Sequence, residues 1–318
     1  MSPARVEQLD AQTAAESLLR ELYIVETEAG AGSLGAAPAP TFDERRARYR
    51  NPGIGKHTYW LARVGDEPAG LSALHRFGGF VTVDVLVRPS FRRCGIGSLL
   101  FERLVAGARA AGVNSFFGHH VDEVGAAFAR KVGATDDQRE VKSVLRLREA
   151  ALPPPRVPEG VELRSWTGHV PDDIVASFVQ ARNALGDAPA PGAQVYPDWT
   201  VETQRADDQA QIDRGVPIHA TAALEHGEVV ALTGIRVGAP PCRYAATDDT
   251  TTVPHARGRG LAYAVKLENL RRLREERPDV ELVGTMNAEQ NAPMRAVNRK
   301  LGFVPTVTLT TALFTLGE

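Results

Sequence analysis

The sequence predicts an α/β protein in which one unit, a mixed β-sheet with helices on its faces, is built twice. Three observations carry this. The chain has 318 residues, and at about 100–200 residues per domain that length suits two domains. A Pro-rich seam at residues 151–160 holds Pro153, Pro154, Pro155 and Pro158; these remove backbone donors and keep the chain extended. It reads as a linker between a domain at 1–150 and one at 161–318. On either side of it, one order of elements runs twice.

In the first half residues 59–64 read as a strand, Gly65-Asp66-Glu67-Pro68 as a turn, and 69–74 as the hairpin partner. Residues 220–224, the turn at His226-Gly227-Glu228 and residues 229–237 repeat that order. A further strand follows each hairpin, 80–87 and 244–253, and runs through a glycine-rich turn into a long helix. The first helix carries Ile96, Leu100, Leu104 and Ala108 at four-residue steps, a buried stripe, with Gly112 as its cap. The second carries Tyr263, Leu267 and Leu270 and stops ahead of Pro278. A strand comes next, 113–118 or 281–286, then a shorter helix ending at Gly133 or Gly302. Each half closes on a strand, 141–147 or 304–314. The offset between Arg92 and Arg257 is 257 − 92 = 165, and between Gly133 and Gly302 it is 302 − 133 = 169. Nearly constant offsets argue for duplication. The Ala/Gly/Pro-rich stretches at 29–40 and 186–192 read as surface loops.

Hydrophobic residues at 43% and charged residues at 24% exclude collagen-like, mucin-like and wholly disordered chains. A formal charge of -2 and a pI near 6.5 leave no basic excess to neutralise a phosphate backbone, so nucleic acid is not an expected partner. Cys94 and Cys242 lie far apart without metal-ligand spacing, which argues against a disulfide scaffold or zinc and fits a reducing compartment. No basic-then-apolar leader opens the sequence, and no apolar run reaches the ~18 residues that span a bilayer. A cytoplasmic protein with no membrane partner is expected. His119-His120 has no further ligand-like residue nearby, so no metal is expected. Residues 271–277 mix both signs and read as a solvated helix face. Trp166 and Trp199 read as core or pocket wall.

The chemistry concentrates at the two glycine-rich turns. Glycines let the backbone curl close to a bulky anion, unpaired N–H groups at the helix start point at it, and the helix dipole favours negative charge there. Such a turn suits a pyrophosphate, although many strand-to-helix turns use glycine for geometry alone.

The pattern Arg/Gln-x-x-Gly-x-Gly/Ala stands here as Arg92, Gly95, Gly97 and again as Arg257, Gly260, Ala262, each after a Val and a Pro at a strand end. This resembles the acyl-coenzyme A (acyl-CoA) loop of the GCN5-related N-acetyltransferases (GNAT). Thr285-Met286-Asn287, Asn291, Met294, Asn298 and Leu301-Gly302-Phe303 follow the second copy at the spacing of the actinobacterial tandem members related to mycothiol synthase. The resemblance implies two tandem GNAT-like domains, each a mixed, mostly antiparallel twisted sheet flanked by helices. It implies acetyl-CoA or another acyl-CoA as cosubstrate and no metal. The acceptor would be the amine of a small molecule or peptide. In the family the segments before residue 59 and between 161 and 215 shape the acceptor pocket.

On that resemblance, the cosubstrate would be held by Val87, Arg92, Arg93, Gly95, Ile96 and Gly97 in the first half. In the second half Thr252, Val253, Arg257, Gly258, Arg259, Gly260, Leu261 and Ala262 would hold it, with Asn287 and Asn291 meeting the pantetheine arm. Asn291 ahead of Pro293 makes equal sense as a helix cap. The family's catalytic glutamate commonly lies eleven residues before the loop arginine, a place taken by Val81 and Ala246, neither of which is a base. Asp248 lies two residues from Ala246 on the same strand face and is the candidate base, acting through water, whereas Asp249 points the other way and matches Asp84. The alternative is that both aspartates are polar residues at a sheet bend. The tyrosine that many relatives place four residues before the glycine of the Gly-Phe pair is Asn298 here, which donates a hydrogen bond but does not titrate. Cys94 sits in the first loop, where a small residue is all the turn requires. With the fuller motif set, the second half is expected to be catalytic and the first degenerate. A non-catalytic acyl-CoA sensor is the alternative. A monomer is expected, a homodimer the other possibility.

Overall fold

The computed structural model describes residues 3–33, 35–53, 55–77, 80–187 and 198–317. The chain packs as two compact units. Among the described residues the first comprises 3–140 with 307–317, and the second comprises 141–187 with 198–306.

In the first unit the elements run β1 (Ala4–Leu9), α1 (Glu16–Gly30), α2 (Phe42–Arg50), β2 (Lys56–Val64), β3 (Glu67–Phe77), β4 (Phe80–Val87), α3 (Ile96–Ala110), β5 (Ser115–His120), α4 (Glu123–Lys131) and β6 (Thr135–Arg146). The strand order is β1-β2-β3-β4-β5, antiparallel except for the parallel β4–β5 contact. Period-2 alternation on β2 splits the core. Trp60 and Ala62 join Leu74, Ile96, Leu100 and Leu104 under α3, while Tyr59 and Leu61 join Leu19, Leu22 and Tyr49 under α1 and α2. Gly107 in α3 is a matter of space, because a Cβ there would collide with the Trp60 ring. Thr41 and Glu44 form a reciprocal capping box that starts α2 despite its polar sequence. The stretch read as a loop at 29–40 is helical at its start, since α1 runs to Gly30 and a 3-10 turn follows.

The second half of the chain runs β7 (Val161–Thr167), α5 (Val175–Asn183), α6 (Val201–Asp213), β8 (Ile218–Glu225), β9 (Glu228–Val237), β10 (Tyr244–Thr252), α7 (Leu261–Glu276), β11 (Leu282–Ala288), α8 (Ala292–Leu301) and β12 (Val304–Thr315), all but the end of β12 in the second unit. Its order is β7-β8-β9-β10-β11, with β10 and β11 parallel. The hairpins of the two units are register copies: each carries a bulge one strand from its edge, between Ala62 and Arg63 or between Ala223 and Leu224. The loop expected at 186–192 lies outside the described residues beyond position 187.

The closing strands depart from the expected arrangement. From Val307 onward β12 belongs to the first unit and pairs antiparallel with β5, from Thr310↔His120 to Thr315↔Ser115. From Val141 onward β6 belongs to the second unit, where Leu145 and Leu147 enter the core beside Leu267, Leu270 and Val283. Each unit thus takes its last strand from the other half of the sequence. The apolar alternation of a closing strand specifies a sheet face, and either sheet offers that face. Residues 151–160 carry no regular structure, with Leu152 buried in the same core as Leu145.

Candidate functional site: a cradle and a parted strand pair in each unit

In the second unit β10 meets β11 only from Tyr244↔Leu282 to Ala246↔Gly284. Beyond Ala246 the parallel strands have parted, and β10 continues alone on that side to Thr252. The turn that follows places Gly258 at φ 78° and Gly260 at φ 79°, left-handed conformations that a side chain disfavours. Gly260 caps α7, and its carbonyl takes the first helical bond, from Ala264 N–H at 3.1 Å. Among the described residues, the amides of residues 258–263 donate to no acceptor in the chain. The Arg257 Nε–H closes the turn by donating to the Thr252 carbonyl at 3.2 Å. Val253 N–H anchors the strand end to the Val230 carbonyl. Arg259 turns away from the cradle into a bidentate pair with Glu225, 2.7 and 2.9 Å; the helix-start residues Leu261 and Ala262 present backbone.

The first unit repeats this. β4 meets β5 in the parallel sense at Thr82↔Phe117 alone. Gly95 caps α3 at φ 81°, and Arg92 Nε–H donates to the Val87 carbonyl at 3.2 Å, matching Arg257 and Thr252. The position of Gly258 is taken by Arg93, which holds φ 64°, a strained choice for a residue with a Cβ. A Cβ on Gly97 would stand 3.1 Å from the Phe128 ring; by the repeat's offsets the second unit has Ala262 and Val297 at those places, a larger residue for the glycine and a smaller one for the ring. Ile96 is buried in the core beneath the turn.

The second unit's candidate catalytic residues are engaged within the protein. A bulge in β10 sets Asp248 and Asp249 against the single residue Gly234, since the register steps from Thr247↔Ile235 to Thr250↔Thr233. The alternation expected of a regular strand is lost there, and both carboxylates reach one guanidinium. Arg182 donates through Nε to Asp249 at 2.8 Å, lies 3.8 Å from Asp248, and donates to Gln204 at 2.7 Å. The Trp199 ring covers it at 3.4 Å. Asp248 also pairs with Arg236. Arg182, Gln204, Asp248 and Asp249 line, with Trp166 and Phe178, a cavity of only about 20 Å³, room for one water. Asn298 is 4% exposed and donates through Nδ2 to Asn287 Oδ1 at 2.6 Å. Its Oδ1 is buried with no partner among the described residues. Asn291 is the N-cap of α8, its side chain accepting from Met294 N–H at 3.2 Å.

The corresponding place in the first unit is open. Between α1, α2 and the sheet lies a polar pocket of about 210 Å³, lined by Glu26, Arg45, Arg48, Tyr49, His75 and Asp84 among others. Asp84 Oδ2 lies 3.1 Å from His75 Nε2, and His75 Nδ1 lies 2.5 Å from His57 Nδ1. The pocket walls around the half-open Asp84 side chain push its carboxyl up, but the His75 hydrogen bond and the nearby His75, His119 and Arg48 charges prevail and hold it below the usual range. Burial raises the Tyr49 and Tyr59 hydroxyls well above their ordinary value. His119 and His120 pair with Glu140 and Asp136, each at 3.0 Å. Among the described residues no group of His, Cys, Asp and Glu is placed to hold a metal. Arg182, Gln204, His57, His75 and Arg48 belong to no motif that singles them out in the sequence. The available signal was polar residues at inward strand positions, His57 beside Tyr59 and His75 beside Ala73.

A family model described as "Acetyltransferase (GNAT) family" matches residues 19–133. A tandem GNAT protein from the clavulanic acid biosynthesis pathway, solved without AcCoA, superposes with a TM-score of 0.81 at 25% identity over 99% of both chains. The chain has the tandem GNAT fold, and its residues 19–133 match the GNAT family model. A further GNAT structure, from Sphaerobacter thermophilus, shares the fold at TM-score 0.73 and 16% identity, covering 99% of this chain and 97% of that one. Among curated proteins, the mycothiol acetyltransferase of Actinosynnema mirum is 35% identical over 182 residues, 55% of this chain and 58% of the relative. The match therefore spans less than two thirds of that relative. The mycothiol acetyltransferase of Acidothermus cellulolyticus is 27% identical over 237 residues, 70% and 68% of the two chains. The matched residues 19–133 fall within the first unit, the half with the open pocket. No helix among the described residues is long and apolar enough to cross a membrane.

Proposed function

We propose that this tandem GNAT protein is an acyl-CoA-dependent N-acyltransferase that passes the acetyl group of acetyl-CoA to the amine of a small molecule or peptide by direct attack in a ternary complex. One observation carries the reading. In both units a strand parts from its parallel neighbour and leads into a helix start whose amides have no acceptor among the described residues.

The free amides of residues 93–98 or 258–263 suit the diphosphate of the cosubstrate, aided by the helix dipole. The unpaired edge of the parted strand suits the pantetheine arm, which hydrogen-bonds there as an added strand does. The amine nitrogen then attacks the thioester carbonyl; the C–N bond forms, the C–S bond breaks, and a strand N–H stabilises the oxyanion between. An amine with a pKa near 10 must first lose a proton. Asp248 and Asn298, the candidates read from the sequence, are held by Arg182, Arg236 and Asn287; we assign them to shaping the second unit's pocket. We place the protein in the cytoplasm as a monomer, with no nucleic-acid or membrane partner, and a mycothiol-related amine belongs among the acceptors tried.

Thiol release from acetyl-CoA across an amine panel tests the reading, with initial velocities that intersect when both substrates are varied. Binding of acetyl-CoA without thiol release on any amine establishes the second reading, a sensor that holds acyl-CoA, which the Arg182 network filling the second unit's pocket favours for that unit.

A further inference from the structure

We infer that the first unit is itself a turnover centre, and that its acceptor is a small amine bearing a carboxylate or phosphate, placed between Asp84 and Arg48. This rests on the acyl-transfer reading above and adds the site and the acceptor class. The pocket lies on the α1–α2 face of the sheet, where Tyr59, Ala73 and Asp84 are cross-strand neighbours. Asp84 is two residues beyond Thr82, the last β4 residue paired with β5. It therefore stands on the parted stretch of the strand that leads into the Arg92–Gly97 turn. Its side chain is 54% exposed, while His75 behind it is at 11%. The carboxylate thus faces the pocket and the imidazole backs it.

The pocket is built for a polar guest. Tyr49, 3% exposed, turns its hydroxyl to the Glu26 carboxylate, so this wall of the pocket is polar although it lies deep in the unit. Glu26 and Arg45 satisfy each other's charge at 3.0 Å. Arg48 lines the same pocket with no carboxylate at ion-pair distance among the described residues. One cation in a pocket whose other charges are matched selects an anionic group, and a guanidinium fork matches carboxylate or phosphate. The second unit offers no counterpart, since its arginine there, Arg182, already holds two aspartates.

The ammonium of the acceptor docks on Asp84 and gives one proton to the hydrogen-bonded chain Asp84–His75–His57. The neutral nitrogen attacks the thioester carbon. As the C–S bond breaks, the second nitrogen proton passes to the sulfur, leaving amide and free thiol, and the chain returns its proton to water. Every atom comes from amine and acyl-CoA.

The test measures thiol release from acetyl-CoA on amino acids, phosphorylated amino alcohols and uncharged alkylamines, beside calorimetric binding of acetyl-CoA. The expected result is at least tenfold higher kcat/KM for anionic amines, with the carboxylate and phosphate arms showing which anion is preferred. Asp84→Asn and His75→Gln each lower kcat at least 100-fold with acetyl-CoA affinity within twofold, which shows the unit still folded. Arg48→Gln raises KM for the anionic amine about tenfold, keeps kcat within twofold and does not change KM for alkylamine. Turnover within threefold of wild type in both Asp84→Asn and His75→Gln overturns the inference. So does equal use of charged and uncharged amines, or acetyl-CoA binding with no amine consumed. Failure of the wild-type chain to bind acetyl-CoA is a different result and removes the acyl-transfer reading itself.

Discussion

Lys266 is 3% exposed on α7, its Nζ 5.5 Å from the Phe303 ring and with no carboxylate at ion-pair distance among the described residues. The first unit has Phe101 at the equivalent place (266 − 165 = 101), packed edge-on against Phe116, Phe128 and Phe314. Burial lowers the Lys266 pKa to about 8. In the unfolded chain a lysine keeps its proton to about 10.4. Below pH 8 both states carry the charge and the folded state bears the desolvation cost in full. Between pH 8 and 10.4 the folded state is neutral while the unfolded state still holds the proton, so stability rises with pH through that window. A difference of roughly two units corresponds to about 3 kcal/mol. Lys266→Met, similar in length and apolar, is expected to gain up to about 3 kcal/mol at pH 7 and to erase that rise. Urea unfolding of both proteins at pH 7, 8, 9 and 10 measures it. Parallel curves at all four values mean that the ammonium stays hydrated.

At the scale of elements, the parts legible in the sequence were those that a local rule dictates. Hairpin strands at 56–64 with 67–77 and 218–225 with 228–237, the turns at Gly95 and Gly260, and the helices after them all come from alternation, glycine and four-residue stripes. The bulge that brings Asp248 and Asp249 to Arg182 was not legible. One extra residue reverses the face of every later strand residue, and no residue type marks it. The His57–His75–Asp84 chain was hidden because its members come from three strands whose register depends on the whole sheet. The destination of β12 was hidden for the same reason. Phe314 stacks on Phe116 at 5.2 Å and meets Phe101 at 5.0 Å, all within the first unit. Phe314→Ala is expected to cost about 2 kcal/mol, less than the 3–5 of a fully buried phenylalanine because the ring is only half-buried. Amide exchange locates the damage: β5 amides at 115–120 exchange faster while β9 amides at 228–237 keep their protection. Faster exchange in β9 instead means that the strand serves the unit of its own half.

For the molecule as a whole, duplication has kept two cradles but not two equal ones. Both have the glycine cap, the open amides and the arginine that closes on the strand carbonyl. They differ in charge. The second spends Arg259 on Glu225, whose carboxyl is held below its usual range mainly by that hydrogen bond, and has Gly258 where the first has Arg93. The first exposes Arg93 with no partner among the described residues, and Cys94 stands at the place of Arg259. One more uncompensated cation beside a diphosphate is worth about 0.3–1 kcal/mol at a surface and is screened by salt. Calorimetry is therefore expected to find two acetyl-CoA sites per chain, the first unit's tighter by roughly two- to fivefold at low salt. Arg93→Gly is expected to bring the two affinities together, as does raising salt to about 0.5 M, where the Debye length falls to a few ångströms. Arg92→Glu removes the tighter site and Arg257→Glu the weaker one. A single site in the wild type that survives Arg92→Glu shows that only the second cradle binds acyl-CoA, and that the first unit's open turn is geometry alone.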